Sequence, residues 1–365
     1  MAKTLWYCAL GDGEDAMANC IAMNPNLDFC CDNDLIATGH VGGALRLWAD
    51  GGVAAGQTEG REPITALAWS HLHSHRLFVA HGSGVSELDL RQLSLTSPVA
   101  HHSLQLSGDD ELNSLSLAPS DSLLLSADDS GSVTSFDVNG VLQSHCGSSS
   151  ILGSHDNIAS CVSFLPNQCD MAVSCGLDMK VILWNTRRRK RLWSVDLSGS
   201  KGGQSTDPCV NPPLCHALST SQHGSLFAVG AGDGTARVFS MTQKGAKENV
   251  TMRCHTSATT QVCLCPKRIR PLLYTGGDDG QLHLWDVSGE EGKDHSRSSR
   301  HHRRQRKCHT VQKDNSGSRC LVSIDHGQKL NGLVTGMMAG QQVMLTIDCA
   351  NLMSAYPSAL RLGEG

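Results

Sequence analysis

Short runs in which apolar and polar residues alternate recur along the whole chain. Three of them are Ile64–Trp69, Leu112–Leu117 and 260–265. A period of two places alternate side chains on one face, so each run predicts a short β-strand with one buried face. Turns rich in glycine and aspartate, such as 275–280, separate these runs. The pattern predicts an all-β chain made of many short strands.

One block of residues repeats along the chain. It consists of a Gly/Asp turn, an alternating apolar run and a terminal aromatic or leucine, and its clearest copy runs from Thr275 to Asp286. Six copies end at positions 48, 88, 136, 184, 239 and 285, which are 40, 48, 48, 55 and 46 residues apart. A less regular seventh copy lies between 329 and 357. A repeat of about 40–45 residues with a Trp-Asp ending supplies four strands, which form one blade of a β-propeller.

These blocks resemble the WD40 repeat family, and the resemblance covers nearly all of the chain. It implies a single domain, 1–365, folded as an all-β, seven-bladed WD40 β-propeller. The expected blades are approximately 11–55, 61–95, 110–145, 153–197, 211–245, 253–288 and 321–360. Residues 1–10 are expected to supply an N-terminal strand that closes the last blade, because closure removes an open sheet edge.

The resemblance also implies a structural network inside some blades. In the family, a His, a Ser or Thr, an Asp and the terminal Trp are joined, which satisfies buried polar groups within the blade. By resemblance, the network falls on two sets of residues: His155, Ser174, Asp178 and Trp184, and His255, Thr275, Asp279 and Trp285. The first two blocks have Gly42 and Gly82 at the Asp position and are expected to lack it.

Two segments resemble the docking motif of WD40 proteins that serve as substrate receptors of cullin-4 RING ubiquitin ligases. That motif is Trp-Asp-x-Arg after a blade strand, and its Asp and Arg dock on the damaged-DNA-binding adaptor of the ligase. Segment 184–187 has Asn in place of the Asp, and segment 88–91 has Leu in place of the Trp. The resemblance implies these adaptor-binding residues: Asp89, Arg91, Trp184, Asn185 and Arg187. An ordinary surface ion pair is the alternative interpretation of Asp and Arg at one turn.

The function implied by the resemblance is that of a non-enzymatic protein-interaction scaffold, and more narrowly of a cullin-4 substrate receptor. Its partners would be the ligase adaptor and a substrate protein. The alternative is a general scaffold subunit of another protein complex, without a ubiquitin-ligase link. The sequence has neither a Gly-x-Ser-x-Gly nucleophile motif nor a Walker-type phosphate loop, and the carboxylate pairs 128–129 and 278–279 lie in the repeated turn. We therefore expect no enzymatic activity and no cofactor.

Composition and charge narrow the class of partner. Glycine supplies 37 of 365 residues, about 10% against a usual ~7%, and the repeated turn explains much of this excess. The formal net charge of -5 argues against a nucleic-acid partner, since such chains are usually basic. No apolar run approaches the ~20 residues that span a bilayer, and a basic-then-apolar secretion signal is missing at the N-terminus. We expect an intracellular, cytoplasmic protein with no membrane partner.

Cysteine and histidine give only weak metal-binding patterns. The chain has 16 cysteines but no Cys-x2-Cys pair, and several of them alternate with apolar residues. That arrangement is typical of small buried side chains. His71, His73 and His75 alternate without a neighbouring Cys or carboxylate, and a solvated loop explains them. We expect no metal site.

A polar segment, 289–318, separates the sixth and seventh blocks. It has almost no apolar residues and contains the basic run 297–307, so we expect a disordered surface insertion. A nuclear import signal and a solvated linker both remain open for this run, and the first would add the nucleus to the expected location. A second basic run, 187–191, is expected to form an exposed turn.

Overall fold

The strands that the structure describes are arranged in seven separate sheets. The computed structural model describes residues 7–9, 18–24, 36–48, 54–58, 62–92, 100–105, 110–138, 149–168, 170–199, 211–264, 271–279, 281–287, 308–313, 321–324, 331–338 and 341–348. Within these ranges, each sheet has four strands and forms one blade of a propeller.

The four strands of each blade follow one another in sequence, except in the last blade. The first strand of the chain, β1 (Tyr7–Ala9), belongs to that last blade. Blade one contains β2 (Ala18–Met23), β3 (Ile36–His40), β4 (Leu45–Trp48) and β5 (Ala54–Thr58). Blade two contains β6 (Ile64–Trp69), β7 (Arg76–His81), β8 (Gly84–Asp89) and β9 (Ala100–Gln105). Blade three contains β10 (Leu112–Leu117), β11 (Leu123–Asp128), β12 (Ser132–Asp137) and β13 (Ser149–Ser154).

The remaining blades repeat the same order. Blade four contains β14 (Ala159–Phe164), β15 (Met171–Gly176), β16 (Lys180–Asn185) and β17 (Lys190–Asp196). Blade five contains β18 (Cys215–Thr220), β19 (Leu226–Ala231), β20 (Thr235–Thr242) and β21 (Gly245–Arg253). Blade six contains β22 (Thr259–Leu264), β23 (Leu272–Gly277), β24 (Gln281–Asp286) and β25 (Cys308–Lys313). Blade seven contains β26 (Leu321–Ile324), β27 (Asn331–Met338) and β28 (Gln341–Asp348), together with β1.

The N-terminal strand closes the ring. In blade seven, β1 pairs antiparallel with β28, so that Tyr7 lies opposite Leu345 and Ala9 lies opposite Val343. The last blade therefore takes its outermost strand from the other end of the described chain. The predicted fold class, an all-β, seven-bladed propeller closed by an N-terminal strand, is confirmed.

Hydrophobic clusters fill the spaces between neighbouring blades. One cluster joins Phe78 of blade two to Phe136 of blade three. Another joins blades four and five, where the rings of Phe227 and Phe239 stack with their centroids 4.9 Å apart. A sheet with two apolar faces must bury both, and blades arranged in a ring cover each other's faces.

The turn between the second and third strands needs a left-handed backbone at one position. Gly234 occupies it in blade five with φ of 79°, and a Cβ there would lie 2.4 Å from the carbonyl oxygen of His255. Glycine is the residue that accepts this conformation without strain. Met179 adopts it in blade four with φ of 61°. The repeated glycine of the sequence is therefore a backbone requirement.

The outermost strands extend beyond the expected blade limits. They lie at Ala100–Gln105 in blade two and Ser149–Ser154 in blade three, whereas the expected blades ended at 95 and 145. An outermost strand pairs along one edge and stays largely exposed, as β17 does. Its sequence therefore shows little alternation of apolar and polar residues, and the blade limits expected from that alternation were too short.

The polar segment 289–318 contains one such strand. Residues Cys308–Lys313 form β25 and pair with β24, with Cys308 opposite Trp285. The expectation of a disordered insertion is therefore corrected for 308–313, again because an outermost strand needs few apolar residues. Segments 289–307 and 314–318, and the expected end of the last blade at 351–360, lie outside the described residues.

Cys20 and Cys161 are thiols within the sheets. Burial raises the pKa of Cys20 and of Cys161 to about 12, although backbone hydrogen bonds act in the opposite direction. In the described part of the chain, no three His, Cys, Asp or Glu side chains are grouped to hold a metal ion. Among the same residues, no helix is long and apolar enough to cross a membrane.

Candidate functional site

The four residues of the blade-four network lie within hydrogen-bonding distance of one another. Nδ1 of His155 is 2.9 Å from Oδ1 of Asp178, and Nε2 of His155 is 2.7 Å from Oγ of Ser174. The indole Nε1 of Trp184 donates to the same hydroxyl at 2.8 Å. Asp178 also accepts the backbone N–H groups of Asp156 and Lys180. The network thus joins the outer end of one blade to the turn and third strand of the next.

Blade six repeats this geometry. Nδ1 of His255 is 2.9 Å from Oδ1 of Asp279, and Nε2 is 3.0 Å from Oγ1 of Thr275. Nε1 of Trp285 donates to Oγ1 of Thr275 at 3.0 Å. Asp279 further accepts the backbone N–H of Thr256 at 3.0 Å. The structure therefore brings both sets of four residues together.

One arrangement of protons satisfies every group in each network. The indole donates to the hydroxyl, the hydroxyl donates to Nε2 of the histidine, and Nδ1–H of the histidine donates to the aspartate. Burial acts to raise the pKa of Asp178, but the hydrogen bond from His155 and two backbone N–H groups lower it below its ordinary value. Burial likewise acts to raise the pKa of Asp279, but the backbone N–H groups of Thr256 and Gln281 and the hydrogen bond from His255 lower it below its ordinary value. Both carboxyls are therefore held as buried carboxylates that fix the turn.

Blades one and two each contain a contact between a histidine and a hydroxyl like the one in the two networks. Oγ1 of Thr38 lies 3.0 Å from Nε2 of His40 in blade one. In blade two, Nε2 of His81 lies 2.6 Å from Oγ of Ser86. Gly42 and Gly82 stand at the positions that Asp178 and Asp279 hold in the other blades.

The Asp89–Arg91 pair lies directly after the third strand of blade two. Asp89 ends β8, and Arg91 lies in a 3-10 turn, Leu90–Gln92. Nη2 and Nε of Arg91 donate to the two carboxylate oxygens of Asp89 at 2.5 and 3.0 Å. These bonds from Arg91 hold the pKa of Asp89 well below its usual range, against the opposing effect of burial. The guanidinium is oriented by the carboxylate, yet its side chain is 66% exposed.

The corresponding segment of blade four is divided between the interior and the surface. Trp184 is only 3% exposed because its indole belongs to the network, so it offers no surface to a partner. Asn185 accepts the backbone N–H of Arg188 at 2.7 Å through Oδ1. Nε of Arg187 lies 3.4 Å from Oδ2 of Asp170, and both side chains are exposed. Of the three residues implied here, Asn185 and Arg187 can reach a partner.

These two segments lie on one face of the ring. Each follows the third strand of its blade, and third strands run in the same direction in every blade of a propeller. Blade three separates them, so Arg91 and Arg187 mark two places on a shared face. The repeated topology creates this relation between residues far apart in sequence.

Two segments of the chain, 146–185 and 246–286, match the family model described as WD domain, G-beta repeat. These two segments are WD40 repeats. The first match begins just before the outermost strand of blade three, the second begins within the outermost strand of blade five, and each ends with the third strand of the next blade. The sequence repeat is thus offset from the blade, as the closure of the last blade by β1 also requires.

Two curated proteins are similar to this chain. It is 23% identical over 296 residues to WD repeat-containing protein 53 homolog of Dictyostelium discoideum, which covers 75% of this chain and 74% of that protein. It is 31% identical over 122 residues to Elongator complex protein 2 of Mus musculus, covering 31% of this chain and 14% of that protein.

Among solved structures, the fold is similar to the β-propeller domain of Cps50 (Swd1) from Myceliophteria thermophila. The TM-score is 0.65 with 13% sequence identity, and the match covers 93% of this chain and 98% of that chain. At that identity the likeness concerns the fold alone. WD40 propellers are typically non-enzymatic scaffolds that bind protein partners, and this chain has the scaffold architecture.

The contact that holds the loop at residues 70–75, beside the Asp89–Arg91 pair, was not predicted from the sequence. The carboxylate of Asp121, from blade three, accepts the backbone N–H groups of His71 and Leu72 at 2.9 and 3.2 Å and also the hydroxyl of Ser70. Leu72 is 61% exposed on this loop. The backbone N–H of Leu90 donates to the carbonyl of His75 at 2.8 Å, which links the loop to the Arg91 turn. The sequence holds no local signal for it, since Asp121 lies about 50 residues from the turn it holds.

Proposed function

We propose that this WD40 propeller is a non-enzymatic substrate receptor of a cullin-4 RING ubiquitin ligase. It docks on the damaged-DNA-binding adaptor of the ligase through Asp89 and Arg91 of blade two and through Asn185 and Arg187 of blade four. Loops of other blades hold the substrate protein. The protein acts inside the cell, in the cytoplasm, and enters the nucleus if the basic run 297–307 serves as an import signal.

The observation that carries the proposal is the geometry of the Asp89–Arg91 pair. A surface Arg normally loses side-chain freedom when it binds a partner, and this loss weakens the complex. Here the carboxylate of Asp89 already fixes the guanidinium through two hydrogen bonds. Among the described residues, Nη1 of Arg91 makes no hydrogen bond, so it keeps its donors for a partner's carbonyl or carboxylate.

Blade four supplies the second contact on the same face. Arg187 is held less firmly, since its Nε lies 3.4 Å from Asp170 and its side chain is 79% exposed. Asn185 braces the turn through Arg188 and leaves its amide NH2 group for a partner. Two separated contacts resist rotation of the propeller on the adaptor, which one contact would not.

Direct binding to the purified adaptor tests the proposal. The double variant Arg91→Ala/Arg187→Ala should weaken binding by at least about tenfold, or 1.4 kcal/mol. The matched control is Lys244→Ala/Lys247→Ala, which removes the same charge from exposed positions of the blade-five hairpin. This control should bind like the wild type. Wild-type protein that does not bind the adaptor, or equal losses in both variants, would refute the proposal.

The similarity to Elongator complex protein 2 favours a second candidate function. That relative is named as a complex protein, and this chain would be a scaffold subunit of another assembly with no ubiquitin-ligase link. Affinity purification of the wild-type protein with mass spectrometry separates the two candidates. Stable co-purification of other chains without the adaptor would support this scaffold function, and enrichment of the adaptor would support the ligase function.

A further inference from the structure

The hairpin between the third and outermost strands of blade four carries an unbroken basic run. Residues 187–191 are all Arg or Lys, and all five are exposed. We call residues 188–191 the basic turn and leave out Arg187, which faces Asp170. Among the described residues, none of these four side chains forms an ion pair. The formal charge of the whole chain is -5, so this positive charge is local and opposite in sign to the rest.

The basic turn has a defined conformation. Oδ1 of Asn185 accepts the backbone N–H of Arg188 at 2.7 Å. Arg189 has φ of 50°, in the left-handed region that non-glycine residues avoid. Like charges held side by side repel each other, and a left-handed Arg adds strain. A ligand that neutralises the four cations would relieve this repulsion.

An exposed apolar side chain lies next to the basic turn. Leu183 lies opposite Trp193 and Trp184 lies opposite Arg191, so Leu192 is the extra residue of a β-bulge. It is 44% exposed. The same bulge occurs in blade five, where the extra residue is Asn249. Bulges redirect side chains, and in blade four the bulge presents leucine beside cations.

We propose that the basic turn and Leu192 bind an extended acidic segment of a partner protein that carries an apolar residue. The carboxylates of the segment pair with the four cations, and its apolar side chain covers Leu192. At ~3.3 Å per residue, a stretch of about five extended residues spans the run. The basic turn selects an acidic segment by charge complementarity, because it is locally positive on a chain whose formal net charge is -5.

Nucleic acid fits this surface less well. Single strands bind by stacking their bases on free aromatic rings beside a basic groove. Trp184, opposite Arg191, is buried in the blade-four network. Trp193 is turned toward blade five, where it meets Phe239 edge to face at 6.1 Å and lies against Gly245. The basic turn therefore offers charge without a stacking platform. The proposal does not depend on the ligase adaptor, Arg91 or Arg187.

Fluorescence anisotropy with the full chain tests the proposal. The probes are a labelled oligoglutamate peptide, the same peptide with one central leucine, and a labelled single-stranded DNA of equal length. In low salt the wild type should bind the leucine-containing peptide most tightly. Arg188→Ala/Arg191→Ala should weaken binding of both peptides by roughly fivefold or more, since two exposed ion pairs are lost. Raising the salt to about 0.15 M should weaken wild-type binding, because exposed charges are screened.

Two matched variants separate the surface from net charge. Lys244→Ala/Lys247→Ala removes the same charge from the equivalent hairpin of blade five and should leave the affinity unchanged. Leu192→Asn places the residue type of the blade-five bulge in blade four. It should remove the difference in affinity between the two peptides and leave the affinity for plain oligoglutamate unchanged. All variants should keep the wild-type melting temperature, since the altered side chains are exposed. Equal losses in the two double variants, tighter binding of DNA than of either peptide, or no peptide binding would overturn the proposal.

Discussion

Replacing Thr275 by valine tests whether hydrogen bonding holds the blade-six network together. The hydroxyl of Thr275 is fully buried and serves both Trp285 Nε1 and His255 Nε2, each at 3.0 Å. Valine has the same shape but no hydroxyl, so it leaves an indole N–H and an imidazole nitrogen without partners. Each buried unsatisfied group costs about 1–3 kcal/mol, so Thr275→Val should lower the free energy of unfolding by about 2–6 kcal/mol. Thr275→Ser keeps the hydroxyl and loses one methyl group, which costs ~1 kcal/mol.

Urea unfolding followed by tryptophan fluorescence gives the two midpoints and slopes. The serine variant is a suitable control because Ser174 fills the same role in blade four, with contacts of 2.7 and 2.8 Å. Thr275→Val should unfold at the lower urea concentration with an unchanged slope, since the surface exposed on unfolding is the same. A serine variant as unstable as the valine variant, or less stable, would show that packing of the methyl group dominates and would refute the argument.

Three further predictions follow from the network and the ring. The pKa of Asp178 and of Asp279 lies below the unfolded value near 4, so their stabilisation is present above that pH and is lost as the pH falls through the folded pKa. Asp178→Asn/Asp279→Asn should thus reduce the acid dependence of stability below about pH 4, measured by thermal melts across pH; an unchanged dependence contradicts this. Trp285→Ala should cost about 3–5 kcal/mol, whereas Arg187→Ala should leave the urea midpoint unchanged, and equal shifts would contradict their placement. Deleting residues 1–10 removes β1 from blade seven and should lower the melting temperature sharply; an unchanged melt would exclude its closing role.

The inner three strands of most blades could be predicted from sequence because burial imposes a pattern on them. The first three strands pack against neighbouring blades, so apolar residues recur with period two, and the turn before the third strand requires a left-handed residue such as Gly234. The terminal aromatics at 184, 239 and 285 mark the end of that buried region. The outermost strands escaped because exposure removes the pattern. In β13, for example, Ile151 points an apolar side chain into solvent.

The surface features were harder to predict because they join distant parts of the chain. Asp121 holds the loop at His71 and Leu72 from the next blade, and no local motif encodes that contact. Trp184 shows the opposite problem, since one residue fitted both a structural network and a docking motif. The structure buries Trp184 in the network. The docking motif, taken from the sequence alone, therefore overstated how many of its residues are exposed. Exposure, which sequence alone does not supply, decides between the two interpretations.

The residues at the hydroxyl and indole positions vary together from blade to blade. In blades four and six the next-to-last residue of the third strand is Trp, and the facing second strand supplies Ser174 or Thr275 to accept its N–H. In blade five the terminal aromatic is Phe239, which has no donor, and the second strand has Val229 at the hydroxyl position.

Blade three departs from this pattern, and a buried hydroxyl is left without a hydrogen bond as a result. Its terminal aromatic is Phe136, yet Ser126 keeps a hydroxyl at the equivalent position of the second strand. The Ser126 hydroxyl is buried and makes no hydrogen bond among the described residues. A buried hydroxyl without a partner is unfavourable, whereas an apolar pair such as Val229 and Phe239 has no such cost. In blades four, five and six the indole and the hydroxyl are therefore kept or lost together, and where both are present the network stabilises the scaffold rather than forming its binding surface.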